Sequence, residues 1–233
     1  MKDNGNVDVA IILAALSEWE TAKLLFSKTE NDRSPFGEYC LTTIEDRRCV
    51  FFHGGWGKVA AAASTQFVVD HWQPKLLFNL GTCGGFEGHI SVGEVVLADE
   101  TMIYDIHERM GDADEALKFY TTRIDLSFLR TPFPHDVRIG RLVSADEDID
   151  PSMVSRLRQG FGAVAADWES AAIAWTARHN DTPVVILRAV SDLVSENGGE
   201  LYDGGGFNNR AREVMHPLLQ ALPGWICCAF PDI

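Results

Sequence analysis

Short apolar runs recur along the chain, and after most of them the hydrophobic period switches from strand-like to helical. VDVAIILAAL (7–16) reads as a buried strand, and SEWETAKLLF (17–26) as a helix opened by a capping box, Ser17 with Glu20. RCVFFH (48–53) and PKLLFNLG (74–81) repeat the strand pattern, with a helix over VAAAASTQFVVDHW (59–72) between them. SVGEVVLADETMIYDI (91–106) predicts one or two strands, and 107–135 predicts loops with a short helix. VRIGRLVSAD (137–146), AVAAD (163–167) and PVVILRAVSD (183–192) are further strands. Helices are expected over 151–161, opened by a proline, over 169–180, and over 208–222, the last disturbed at Pro217. Strands alternating with helices bury a sheet on both faces. The expectation is one domain over 1–233: a three-layer α/β/α unit with a central mixed, largely parallel twisted sheet.

The formal net charge of −14 repels nucleic acid and anionic membrane, so neither is expected as a partner. No apolar run reaches the roughly 18 residues of a membrane span, and the start of the chain lacks a signal-peptide pattern. Five cysteines without ligand spacing point to a reducing cytoplasm. The seven scattered histidines form no metal motif, and no GxSxG elbow is present, so neither a metal site nor a serine hydrolase is expected.

In sheets of this kind ligands gather at the carboxyl ends of strands. NLGTCGGF (79–86) there reads as a glycine loop able to bring its backbone against a ligand, or as a plain turn. HGGWGKV (53–59) lacks the spacing of a phosphate loop, and Val59 follows Lys58 where Ser or Thr is needed; Gly57 reads as close helix–strand packing. LRAVSDL (187–193) sets Arg188 and Asp192 near a strand end, where Asp192 either caps the next helix or holds a proton for acid catalysis. AVAADWESAAIAW (163–175) sets Asp167 and Glu169 among small and apolar residues with no nearby base, a costly arrangement without a distant partner. Glu18 and Glu20 follow the first strand; Glu20 is accounted for by the capping box, and Glu18 only loosely by the helix dipole.

Taken together, AIILAALSEWE, GGWGKVAAA, FNLGTCGGFEGHISVGEVVLAD, AADWESAAIA and VVILRAVSD resemble, in order and approximate spacing, the nucleoside phosphorylase/nucleosidase superfamily. More narrowly they resemble its 5′-methylthioadenosine/S-adenosylhomocysteine nucleosidases. Phosphorylases of the superfamily carry an arginine just before the glycine loop; here Asn79-Leu80 stands there. The resemblance therefore implies water as nucleophile, and a hydrolase of purine nucleosides needing no cofactor. A phosphorylase, or a non-catalytic nucleoside-binding member, is the alternative.

By the same resemblance Asp192 protonates the purine and Ser191 orients it. Glu169 binds the ribose hydroxyls with Trp168 beside the sugar. Glu18 activates the water, with Thr82 and Arg188 placing it; a slip of one or two residues in that window would give Trp19 or Glu20 instead. Asp167 reaches the water network or the sugar through Arg188. Gly84 and Ile149 line the base site. Asp148 takes the place of a stacking aromatic, Trp56 replaces a smaller residue near the 5′ end of the ribose, and Tyr104 stands where histidine is common. The resemblance also implies a homodimer.

Overall fold

The computed structural model describes residues 5–26, 31–202 and 205–230. Strand β1 (Val9–Leu13) is wholly buried, and helix α1 (Leu16–Phe26) follows it. Strands β2 (Asp32–Arg33), β3 (Glu38–Ile44) and β4 (Arg47–His53) come next. The β3–β4 hairpin turns on Glu45 and Asp46, both at positive φ (47° and 56°), the geometry of a two-residue turn that follows the strand twist. Beyond it lie α2 (Gly57–Trp72), β5 (Leu76–Phe86), β6 (Val95–Ile103), α3 (Ala113–Phe119), β7 (Thr121–Arg123) and β8 (Arg138–Ser144). The chain continues through β9 (Ala163–Asp167), α4 (Ser170–His179), β10 (Val184–Ser195), β11 (Gly198–Gly199), α5 (Phe207–Gln220) and α6 (Leu222–Ala229).

The three-layer mixed sheet expected from the sequence is what the chain forms. Its centre, β4-β1-β5-β10, is parallel throughout. Alternate residues of β1 divide between two cores. Val9, Ile11 and Leu13 pack with Trp19 of α1 and with Met215, Leu219 and Trp225 of α5 and α6. Ala10 and Ile12 pack with Val68 and Trp72 of α2 and Ile173 of α4.

Strand β5 organises the site. Its first residues pair with β1, its last with β9 through Gly84 and Gly85, and nearly its whole length with β10. Because β10 also pairs with β6, β6 with β8, and β8 with β9, these five strands close into a ring. The carboxyl ends of β1, β5 and β9 and the later part of β10 are thereby brought around one opening.

The fold departs from several expectations raised by the sequence. GTCGG is strand, not loop, and Gly81, Gly84 and Gly85 do not adopt positive φ. Their bareness serves packing: a Cβ on Gly81 would lie 1.9 Å from Arg188 Nη1, and one on Gly84 2.7 Å from Ile149 Cδ1. Strand β10 runs past Asp192 to Ser195, so Asp192 caps no helix. The Ser17–Glu20 capping box does not form. The helix opens one residue earlier, Ser17 Oγ is buried without a partner, and Glu20 pairs at the surface with Arg212 at 2.7 Å. The helix expected over 151–161 is a 3₁₀ turn (Pro151–Met153) leading into a π-helical turn (Arg156–Gly160). Strands β2, β3 and β11 and helix α6 have no counterpart in the sequence reading, and β7 is a strand in a stretch expected to be loops with a short helix. Helix α5 accommodates Pro217 internally.

Candidate active site

A cavity of about 430 Å³ opens at those strand ends. It takes in Glu18, Thr82, Gly84, Asp148, Ile149, Trp168, Glu169, Asp192 and Trp56, residues that the sequence scatters over more than 170 positions. Ser191 and Asp167 also reach its wall. Arg188 does not. It lies beneath the floor, 1% exposed, and acts on the site through its neighbours.

Glu18 closes the end beside α1. It sits in the first turn of the helix and is 2% exposed. One carboxylate oxygen, Oε2, accepts from the amides of Ala14 and Ala15 at 3.2 and 3.0 Å. This is the reach-back half of a capping box, made by Glu18 rather than Glu20. The other oxygen, Oε1, accepts from the Thr82 amide at 2.7 Å and the Thr82 hydroxyl at 2.9 Å. Glu18 is thus fixed from both sides, which places it, and not Glu20, at the cavity.

Asp167 and Glu169 have the partner that their apolar surroundings demand. Arg188 Nε lies 2.8 Å from Asp167 Oδ2, and Nη2 lies 3.5 Å from Glu169 Oε2. Arg188 reaches both acids from β10 across β5, which runs between β9 and β10. Its fork is completed by the Ser170 hydroxyl and by Asn79 Oδ1, at 2.8 and 3.0 Å. Asp167 also accepts from the hydroxyls of Ser144 and Ser170 and from the Ser170 amide, so it caps α4 besides pairing with Arg188. Ser144 and Ser170 carry no signal in the sequence, and Asn79 stands out there only as the residue in place of an arginine; all three are fully buried.

Glu169 extends from the turn before α4, and Oε1 accepts from the Gly57 amide at 3.1 Å. Gly57 has φ +79°, and a Cβ there would lie 2.8 Å from Asp146 Oδ1, so the turn needs glycine in order to aim its N–H. Lys58 holds this turn from the other side through Asp105 and Asp146. Burial pushes the Glu169 carboxyl up to about 8; Arg188 opposes the shift, and Asp167 and Glu18 reinforce it.

Asp192 faces the opposite end. Val190 pairs with Cys83 and Asp192 with Gly84, so Ser191 is an extra residue in β10. Such a bulge re-aims the side chain that follows it. The Ser191 hydroxyl donates to Asp192 Oδ1 at 2.6 Å. Burial raises the Asp192 pKa, and Glu200 and Asp148 add to the rise against the Ser191 bond and Arg210. A carboxyl held toward its protonated form stands at one end of the cavity, a clamped carboxylate at the other, and Glu169 lies near the second.

Tyr202, Leu201 and Phe207 also line the cavity, from the segment after β11. Sequence reasoning missed all three, since that segment carries no pattern beyond its glycines. Tyr104 is buried and lies outside the lining.

A family model described as the phosphorylase superfamily matches residues 8–222. The chain belongs to the phosphorylase superfamily. Within this superfamily it is 30% identical over 201 residues to the 5′-methylthioadenosine/S-adenosylhomocysteine nucleosidase of Maridesulfovibrio salexigens, covering 80% of this chain and 87% of that protein. It is 27% identical over 207 residues to the nucleosidase of the same name from Lysinibacillus sphaericus, covering 84% of this chain and 90% of that one. Among solved structures, the Streptococcus pneumoniae MTA/SAH nucleosidase in complex with 8-aminoadenine superposes with a TM-score of 0.78 at 22% identity, over 95% of this chain and 99% of that chain. At that identity the likeness speaks for the fold.

Proposed function

We infer that this member of the superfamily is an N-ribosyl hydrolase, cleaving purine nucleosides of the methylthioadenosine and adenosylhomocysteine kind into free base and a ribose derivative. The observation that carries the hydrolytic reading is the charge of the cavity wall. Glu18, Glu147, Asp148, Asp167, Glu169 and Asp192 line it, and no Lys, Arg or His does so among the described residues. A phosphorylase must hold an anion at the reacting carbon. The guanidinium beneath this cavity is already engaged by Asp167, Glu169, Asn79 and Ser170.

In this reading the protonated Asp192 carboxyl, oriented by Ser191, gives its proton to N7 of the purine. The C1′–N9 bond breaks, and its electrons leave with the base. Positive charge develops on the ribose, beside Glu169, which takes the ribose hydroxyls, and Trp168. Glu18 accepts a proton from the water whose oxygen bonds C1′, and Thr82 holds the carboxylate in place. Arg188 is a positioning residue that keeps Asp167 and Glu169 in register. Gly84 and Ile149 border the base near Asp192, and Trp56 borders the 5′ substituent near Glu169.

The same reading takes the chain as a homodimer of the cytoplasm. Trp56 and Val59, at the start of α2 beside the cavity, are 68% and 81% exposed, which suits an edge covered by a second copy. No described helix is long and apolar enough to cross a membrane.

Liquid chromatography of base released from methylthioadenosine, adenosylhomocysteine, adenosine and inosine, with and without phosphate, tests the function. Phosphate-independent release of adenine, lost in Asp192→Asn, is expected. Release that requires phosphate overturns the reading in favour of a phosphorylase. No release from any nucleoside, with nucleoside binding intact in Asp192→Asn, leaves a binding protein.

A further inference from the structure

The 145–149 segment brings no aromatic ring to the base end of the cavity, because Asp148 stands there with an exposed side chain. A ring arrives from the other side of the mouth. Tyr202 lines the cavity, and its hydroxyl donates to the Ile149 carbonyl at 2.6 Å, bridging segments 53 residues apart. Gly199 makes room for it: a Cβ there would lie 2.7 Å from two ring atoms of Tyr202. Ile149 is pinned from below as well, since its Cδ1 rests over Gly84, the residue paired with Asp192 in β5–β10. Burial, with Asp148 and Asp192 adding, pushes the Tyr202 phenol up to about 12, so it remains a donor at neutral pH.

We propose that Tyr202 is a binding residue for the base: its ring is the aromatic wall against which the purine plane packs, and its hydroxyl fixes the Ile149 segment that borders the slot. The proposal rests on the purine-nucleoside reading above. A purine offers a flat π-face to such a ring, and this contact tolerates changes in edge substituents. The slot width is then set by one hydrogen bond between Tyr202 and Ile149.

The test uses the full chain with two variants, Tyr202→Leu and Tyr202→Phe. Leu removes the ring; Phe keeps it and removes only the hydroxyl. Calorimetric binding of free adenine probes the base slot, and binding of 5-methylthioribose probes the sugar end. Tyr202→Leu is expected to weaken adenine about 10- to 100-fold, the range for losing one stacked base. Its methylthioribose affinity should stay within about twofold. With methylthioadenosine as substrate, KM should rise by the adenine factor while kcat changes far less, as for loss of uniform binding. Tyr202→Phe should fall between Leu and wild type on both measures.

Equal weakening of adenine and methylthioribose in Tyr202→Leu overturns the proposal, because it reports general collapse of the mouth. Unchanged adenine affinity overturns it outright. A wild-type protein that binds adenine and hydrolyses nothing overturns the hydrolase reading alone, since the adenine contrast still reports on Tyr202. Failure of the wild type to bind adenine overturns both.

Discussion

Glu18 and Thr82, 64 positions apart, share two hydrogen bonds to a single carboxylate oxygen, from the Thr82 amide at 2.7 Å and its hydroxyl at 2.9 Å. The second oxygen is held by the amides of Ala14 and Ala15. A carboxylate accepts through both oxygens, whereas an amide brings two donors. Glu18→Gln therefore leaves either Thr82 or the Ala14–Ala15 amides facing an N–H. We expect kcat to fall about 10²- to 10⁴-fold, as for loss of a general base. Denaturant unfolding should show a loss of about 1–3 kcal/mol from the unpaired donors. Glu20→Gln, which breaks only the surface pair with Arg212, should leave kcat within about twofold of wild type.

Glu169 carries a pH signature. Its folded-state carboxyl is pushed up to about 8 from an ordinary 4.5. The folded state thus holds a proton that the unfolded chain releases. Its contribution to stability is complete below about 4.5 and is lost as the pH rises through about 8. Urea unfolding of the ligand-free protein should show stability declining across that window. In Glu169→Gln this part of the decline should vanish. An equal slope in the variant would assign the decline to other groups.

Arg188 sits at 1% exposure against two carboxylates. Arg188→Met leaves Asp167 buried without its counter-charge and takes a donor from Glu169, at a cost of about 3–5 kcal/mol read by chemical denaturation. Arg188→Lys keeps the charge but lacks the planar fork that reaches Asp167, Glu169 and Asn79 together. It should recover part of the stability and little of the activity.

Gly81→Ala places a methyl 1.9 Å from Arg188 Nη1 and 3.0 Å from Glu18 Oε1. Two anchored charged groups must then shift in a packed interior. A loss of about 1–3 kcal/mol in unfolding free energy is expected, with activity falling further than stability. Gly88→Ala, with open space around the added Cβ but φ at +76°, gives a control in which backbone strain alone acts.

Trp56 lines the cavity while remaining 68% exposed. Trp56→Ala should leave unfolding within about 0.5 kcal/mol of wild type. The ratio of KM for adenosylhomocysteine to KM for methylthioadenosine should change, because the two differ only in the 5′ substituent, which the proposed function sets against this indole. An unchanged ratio would place the 5′ group elsewhere.

The apolar runs of β1, β4, β5, β8, β9 and β10 are visible in the sequence because a buried strand needs little besides apolar side chains. Helices α1, α2 and α4 are visible because each runs for ten residues or more without an internal glycine or proline. Strand β3 was missed because EYCLTTI mixes both characters, and because its hairpin turns on Glu45-Asp46 rather than on glycine or asparagine. Asp167, Glu169 and Asp192 stood out as acids in apolar surroundings. Tyr202 did not, since a tyrosine among glycines has no local signature.

Sequence alone determined which residues must be buried and which buried acids lacked a local partner, because both follow from the transfer cost of each side chain along the chain. It could not say which base answers which acid, nor whether Glu18 or Glu20 turns inward. Those outcomes depend on β5 pairing with β1 at one end and β9 at the other, on one extra residue at Ser191, and on glycines whose missing Cβ atoms let Arg188 and Glu18 close on Gly81 and Ile149 on Gly84. Register and close approach are properties of pairs of segments, and only the folded chain brings those pairs together.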